Sequence, residues 1–265
     1  MSSLSPNSIE DRVRDRRPGV RDVNLHYERE GEGLPLLLIP GALGTGRSDF
    51  PDQIDWFAER GFEVIAPDPR GYGRSRPPQR DYPLHFYHRD ASDMFALMDS
   101  LGHQRFSIMG WSDGANIGTI MAAVDPQRVE RLVVFGGQSF LTSEDIATFK
   151  AIHRIEDWAP KPAASMRAIY GAELDPLWER YVAGQELLFD AGGDLYGLLL
   201  GKVRCPVLVL HGAKDPLVPE FQAEAIARGI PHSELRVFPH GRHNIHMRQA
   251  EEFNVLTHAF LTEKG

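Results

Sequence analysis

Five short apolar runs constrain this chain more than any other feature: LPLLLIP (34–40), FEVIAPD (62–68), RFSIMG (105–110), RLVVFG (131–136) and PVLVLHG (206–212). They are nearly continuous in Leu, Ile, Val and Phe. Strict alternation with polar residues would mark strands with one wet face, whereas continuous runs mark strands buried on both faces. Helical spacing fills the intervals, around 50–60, over 85–101 where Phe86, Met94, Leu97 and Leu101 recur, and over Ala115–Val124. VNLHYER (23–29) and ELRVFP (234–239) read as further strands, and 245–262 as a closing helix. Strands alternating with helices predict the α/β class, a mostly parallel central sheet with helices on both faces.

The alternation breaks between about 138 and 203. That stretch is mostly helical in pattern and carries Trp158, Trp178, Tyr181 and two glycine turns. It predicts an inserted helical cap, 138–203, on a core made of 21–137 and 204–265, with 1–20 as a flexible N-terminal extension. A cap inserted between two core strands is expected to cover the C-terminal edge of the sheet, where open α/β sheets bind ligands.

A length of 265 residues suffices for one such domain with its insertion. The net charge of −8 disfavours a nucleic-acid partner. The single cysteine, Cys205, allows no intrachain disulfide, which suits a reducing compartment. Within KVRCPVLVL it reads as a buried core thiol. Residues 1–20 lack the apolar segment of a secretory signal, and Glu10, Asp11 and Asp15 argue against a transit peptide. The expected location is cytoplasmic, with a mitochondrial one left open. No apolar run reaches the length of a membrane span, and nothing indicates an oligomeric state.

GWSDG (110–114) sits where a strand ends and a helix begins. A sharp strand-to-helix turn exposes a serine hydroxyl, and the helix N-terminus aims backbone N–H groups at developing negative charge. Ser112 is therefore the candidate nucleophile. It needs a base, and the base needs an orienting acid, in the chain order Ser, Asp, His for this architecture. HGAKDPLVP (211–219) supplies Asp215 after a core strand, and FPHGRHNIH (238–246) supplies His243 after the last strand. His240 is the runner-up as base, and His246 falls in the closing helix. His240, His243 and His246 also form an H-x-x-H-x-x-H run, but it crosses a strand–loop–helix junction and lacks the glutamate of a zincin motif, so no metal is expected. PGALGTG (40–46) follows a core strand, and no Gly-Lys-Ser/Thr follows it to make a phosphate loop. It reads as an oxyanion loop, offering the N–H of Ala42 or Leu43 alongside that of Asp113. DPRGYGRS (68–75) reads as a structural loop at the base of the pocket.

Asp113 is the anomaly. A bare carboxylate beside the nucleophile opposes an oxyanion. Two readings stand: it pairs with a cationic substrate group, or it turns away to serve the helix N-terminus.

Taken together, GWSDG, DPRGYGRSRPP (68–78), HGAKDPLVP and GRHNIHMRQAEEFN (241–254) resemble the valacyclovir hydrolase, or biphenyl hydrolase-like, branch of the α/β-hydrolase superfamily, over roughly residues 20–263. The resemblance implies the α/β-hydrolase fold, Ser112 as nucleophile, Asp215 as acid, His243 as base and Asp113 as the group that recognises a substrate α-amino group. It implies a small-molecule ester substrate with a cationic amine, amino-acid ester prodrugs included, with thioesters or thiolactones among the substrates of relatives, and no cofactor. Ala115 departs from the branch, which usually has a third glycine there, and the cap matches less closely than the core. The rival expectations are a general carboxylesterase, a C–C bond hydrolase acting on anionic ring-cleavage products, and a ligand receptor built on the same fold.

Overall fold

In the computed structural model, which describes residues 11–13 and 23–263, the apolar runs become the middle of a sheet. The chain order is β1 (Asp11–Val13), β2 (Val23–Leu25), β3 (Tyr27–Glu30), β4 (Leu34–Ile39), α1 (Gly46–Asp49), α2 (Gln53–Ala58), β5 (Phe62–Pro67), α3 (Phe86–Ser100), β6 (Phe106–Trp111), α4 (Asp113–Val124) and β7 (Val129–Phe135). There follow α5 (Ser143–Ala151), α6 (Pro160–Tyr170), α7 (Leu174–Asp190), β8 (Val207–Gly212), α8 (Glu220–Gly229), β9 (Ser233–Phe238), α9 (Ile245–Arg248) and α10 (Ala250–Thr262). Seven strands form one sheet in the order β3-β5-β4-β6-β7-β8-β9. Only β3 runs antiparallel to its neighbour; the other pairings are parallel. The α/β-hydrolase architecture expected from the sequence is borne out.

Successive residues of each strand feed opposite layers, as a pleated strand requires. Leu37, Ile39, Ile108, Leu132 and Val209 join one buried cluster with α3, α4 and the helices that follow β7. Leu36, Leu38, Met109, Val133 and Leu210 join the other, against Phe57 of α2 and Phe253 and Leu261 of α10. Cys205 is buried, and burial pushes its thiol up to about 11, so it stays protonated as a core thiol should.

Three element boundaries differ from the sequence reading. VNLHYER is two strands. β2 pairs with β1 and β3 with β5, and His26 lies between them: its N–H leaves the ladder to donate to Ser75 Oγ, while its carbonyl accepts from the Asp68 N–H, one step beyond the Tyr27–Pro67 pair. The closing helix breaks at Gln249 into α9 and α10. α4 begins two residues earlier than Ala115, because the turn is completed by Ser112 alone. The expected N-terminal extension lies outside the described residues except for Asp11–Val13, which pair with β2.

Helices α5–α7 rise from a stem in which Leu141 donates to the Gly193 carbonyl and Leu195 to that of Ser139. Two buried ion pairs tie the segment after β5 to α3: Arg70 to Asp93 at 2.7 and 2.5 Å, and Arg80 to Asp90 at 2.9 and 2.5 Å. The Arg80 and Asp90 side chains are each about 1% exposed. Removing one partner strands the other charge in a dry environment, so Asp90→Ala is expected to cost about 3–5 kcal/mol of stability. Chemical denaturation measures this; a loss below about 1 kcal/mol, the worth of an exposed pair, would contradict it.

Candidate active site

All the parallel strands present their C-terminal ends at one edge, and the sequence-predicted residues follow directly from those ends. Ser112 comes one residue after β6, Asp215 three after β8, His243 five after β9, and the 40–46 loop follows β4. Ser112 has φ 54° and ψ −118°, and Leu43 has φ 62°; among the described residues these are the two non-glycine positions with positive φ. Such backbone is costly and persists only where the surroundings enforce it. At Ser112 the enforcement is close packing. A Cβ on Gly114 would lie 1.9 Å from the Ile39 carbonyl oxygen, so α4 starts flush against β4 only because that residue is glycine. The Ser112 N–H still closes the row between β6 and β7 on the Phe135 carbonyl at 2.9 Å, and the strained turn into α4 begins there.

His243 Nδ1 bonds Asp215 Oδ2 at 2.7 Å. The other oxygen of Asp215 accepts from the N–H groups of Leu217 and Val218, at 2.8 and 3.1 Å. Burial works to raise the Asp215 carboxyl, but the field and hydrogen bond of His243 and the two backbone donors outweigh it and hold the group below the ordinary carboxylate range. His243 packs on Trp111, the neighbour of Ser112, with ring centroids 5.3 Å apart. Trp111 Nε1 also donates to the His243 carbonyl at 2.9 Å. The imidazole lies against Gly136 at the end of β7, where a Cβ would come within 2.9 Å of Cε1. These contacts bring His243 to the edge that carries Ser112.

The other two histidines go elsewhere. His246 is fully buried in α9, its Nε2 bonded to the Asp49 carbonyl at 2.7 Å, and burial lowers its pKa to about 3. His240 is exposed just past β9.

The 40–46 loop lies over Ser112; a Cβ on Gly41 would sit 3.1 Å from that of Ser112. Two residues that sequence reasoning missed hold it. Asp49 Oδ2 accepts from the Gly41 N–H at 2.9 Å. Tyr170, at the end of α6, donates its hydroxyl to the Leu43 carbonyl at 2.6 Å and accepts from the Gly73 N–H at 3.1 Å. Burial pushes Asp49 up to about 7, against the Ser48 hydroxyl and Gly41 N–H that lower it. Leu43 is buried and Ala42 half-buried. Ser75 in the DPRGYGRS loop is fully buried, its hydroxyl donating to the Asp68 carbonyl, a structural arrangement.

Asp113 does not serve the backbone at the start of α4. Its Oδ1 accepts from the Tyr87 hydroxyl at 2.7 Å and the Tyr181 hydroxyl at 3.0 Å. Its Oδ2 is buried with no hydrogen-bond partner in the protein. Burial pushes the carboxyl up to about 6, while the two hydroxyls and the positive field of Arg80 lower it. Tyr87 stands one residue off the apolar stripe read in α3. Tyr181 was legible only as one aromatic among several between β7 and β8.

A strained serine at a strand–helix junction, on the sheet edge that also carries a histidine held by a buried carboxylate, is the pattern of the α/β hydrolases. The chain belongs to the α/β-hydrolase fold family, whose model matches residues 35–173 and 148–250. The resemblance to the valacyclovir hydrolase branch is also borne out: over 252 residues the chain is 39% identical to the human serine hydrolase BPHL, covering 94% of this chain and 87% of the relative. The mouse protein of the same name is 40% identical over the same span. A 2-hydroxymuconate semialdehyde hydrolase from Pseudomonas putida is 29% identical, covering 91% of this chain and 90% of that protein. Among solved structures, a serine hydrolase from Cycloclasticus zankles superposes with a TM-score of 0.80 at 20% identity, covering 96% of this chain and 98% of that one. At that identity it speaks for the fold alone. The chain is a hydrolase, and its substrate is a small molecule. Among the described residues no helix is long and apolar enough to cross a membrane.

Proposed function

We propose that this protein is a serine-dependent hydrolase of α-amino acid esters, working through an acyl-enzyme, with Ser112, His243 and Asp215 as its catalytic triad. His243 takes the Ser112 proton as the hydroxyl attacks the ester carbonyl, then returns it to the departing alcohol; water, activated the same way, releases the amino acid. Asp215, held ionised by its own bonds, orients the imidazole and stabilises its cation. N–H groups from Ala42 or Leu43 and from Asp113 receive the oxyanion. Helices α5–α7 and their flanks, 138–203, act as the cap that closes the pocket, and 21–137 with 204–265 as the core beneath it. No metal or cofactor has a part in this chemistry.

One observation carries the amine specificity. Asp113 keeps one carboxylate oxygen buried and unpaired, while two tyrosines fix the other. An orphan anion beside an oxyanion site is costly. A substrate ammonium removes that cost and fixes the ester carbonyl over Ser112. The 2-hydroxymuconate semialdehyde hydrolase similarity favours C–C cleavage as the rival, yet an anionic substrate would meet Asp113 as a like charge.

The deciding experiment compares kcat/KM for phenylalanine benzyl ester and its N-acetyl counterpart, in wild type and Asp113→Ala. A wild-type preference for the free amine that falls roughly 10–150-fold in the variant is expected, the worth of a charge-assisted hydrogen bond. Equal losses on both esters would remove the specific role. The preference should also depend on pH. The ionised carboxylate is the recognising form, so the ratio of the two kcat/KM values falls as pH drops through about 6, where Asp113 takes up a proton. A ratio flat from pH 5 to 7 would contradict this.

A further inference from the structure

The surroundings of Asp113 contain a second unpaired acceptor. Gln185 lies on α7, four residues after Tyr181 and so on the same helix face. It is fully buried. Its Nε2 donates to the Tyr87 hydroxyl at 3.1 Å, while that hydroxyl donates onward to Asp113 Oδ1 at 2.7 Å. The Tyr87 proton is committed to the carboxylate, so the hydroxyl accepts from the amide, and this sets which end of the amide is nitrogen. Gln185 Oε1 is left buried with no hydrogen-bond partner in the protein, as is Asp113 Oδ2. A glutamine with an unpaired acceptor on the buried face of an amphipathic helix is costly, and two orphan acceptors joined through one tyrosine are costlier still.

Building on the amino-acid ester reading above, we propose that Gln185 is a specificity-determining residue. Its Oε1 and Asp113 Oδ2 together form a two-acceptor seat for the substrate ammonium, so the enzyme selects by the number of N–H groups as well as by charge. The substrate class is then α-amino acid esters whose nitrogen carries at least two protons: primary amines and singly N-alkylated or prolyl amines. A dialkylated ammonium has one N–H and leaves one acceptor buried and unpaired. A quaternary ammonium leaves both. Tyr181 and Gln185 come from the same helix, so α7 would supply one wall of the ammonium seat and α4 the other.

The test is a methylation series at constant charge and acyl length: the benzyl esters of glycine, N-methylglycine, N,N-dimethylglycine and N,N,N-trimethylglycine, with N-acetylglycine benzyl ester as the neutral member, at pH 7. Wild-type kcat/KM is expected to change less than about 3-fold at the first methyl, then to fall roughly 10-fold or more at the second and again at the third, each step stranding one buried acceptor. Gln185→Met keeps the length and apolar shape of the side chain but removes the acceptor. It should lower the glycine ester roughly 10-fold and shrink the second-methyl step to less than about 3-fold. A smooth decline with each methyl, unchanged in Gln185→Met, would mean simple crowding and overturn the proposal. The wild-type series decides even if the variant does not fold, because a smooth wild-type decline is enough to overturn it. If the free amines are no better than the N-acetyl ester, it is the amine reading itself that has failed; if they are better but show no step at the second methyl, only the role of Gln185 has.

Discussion

Ser112→Ala is expected to lower kcat for an amino-acid ester by roughly a million-fold while leaving the fold intact, since members of a triad act as one unit. Both halves follow from the local geometry. The backbone bonds at this turn are made by the Ser112 N–H to the Phe135 carbonyl at 2.9 Å and by the Ala115 N–H to the Ser112 carbonyl at 2.9 Å. Neither uses the side chain. Alanine bears the same Cβ as serine, so it meets the same strain at φ 54° and adds none. What disappears is the hydroxyl that attacks. Steady-state turnover and a thermal melt of the same preparation check the two halves together. Most of the activity surviving in a folded variant would overturn the nucleophile assignment.

Asp215→Asn should cost roughly ten-thousand-fold in kcat, again with little change in stability. The two backbone donors, Leu217 and Val218, both point at Asp215 Oδ1. An asparagine must keep its carbonyl there, so its amide nitrogen faces His243. That nitrogen donates, whereas the Asp215 oxygen accepted from Nδ1 at 2.7 Å. The imidazole is driven to the tautomer with its proton on Nε2, the nitrogen that must take the proton from Ser112. The base is present but wrongly protonated. A loss of less than about ten-fold would show that Asp215 does not orient the base.

The parallel sheet was legible because a strand buried on both faces must be apolar at every position, and that is a local property. The chain order of Ser112, Asp215 and His243 was legible for a related reason: each follows a strand end, and parallel strands bring those ends to one edge. Local pattern failed where a backbone group finds a distant partner. VNLHYER is interrupted at His26, where the N–H finds Ser75, 49 residues away along the chain. The same holds for Asp49 and Tyr170, which secure the 40–46 loop, and for the Arg80–Asp90 pair.

By itself the sequence determined the fold class and which serine, aspartate and histidine follow the strand ends, because periodicity and motif spacing are written in neighbouring residues; the family came from the resemblance of its motifs. It left open which way Asp113 faces. Tertiary structure decided that, bringing Tyr87 from α3 and Tyr181 from α7 onto one carboxylate oxygen and leaving the other buried and bare. The direction of a side chain depends on donors 26 and 68 residues away along the chain, and only folding makes them neighbours.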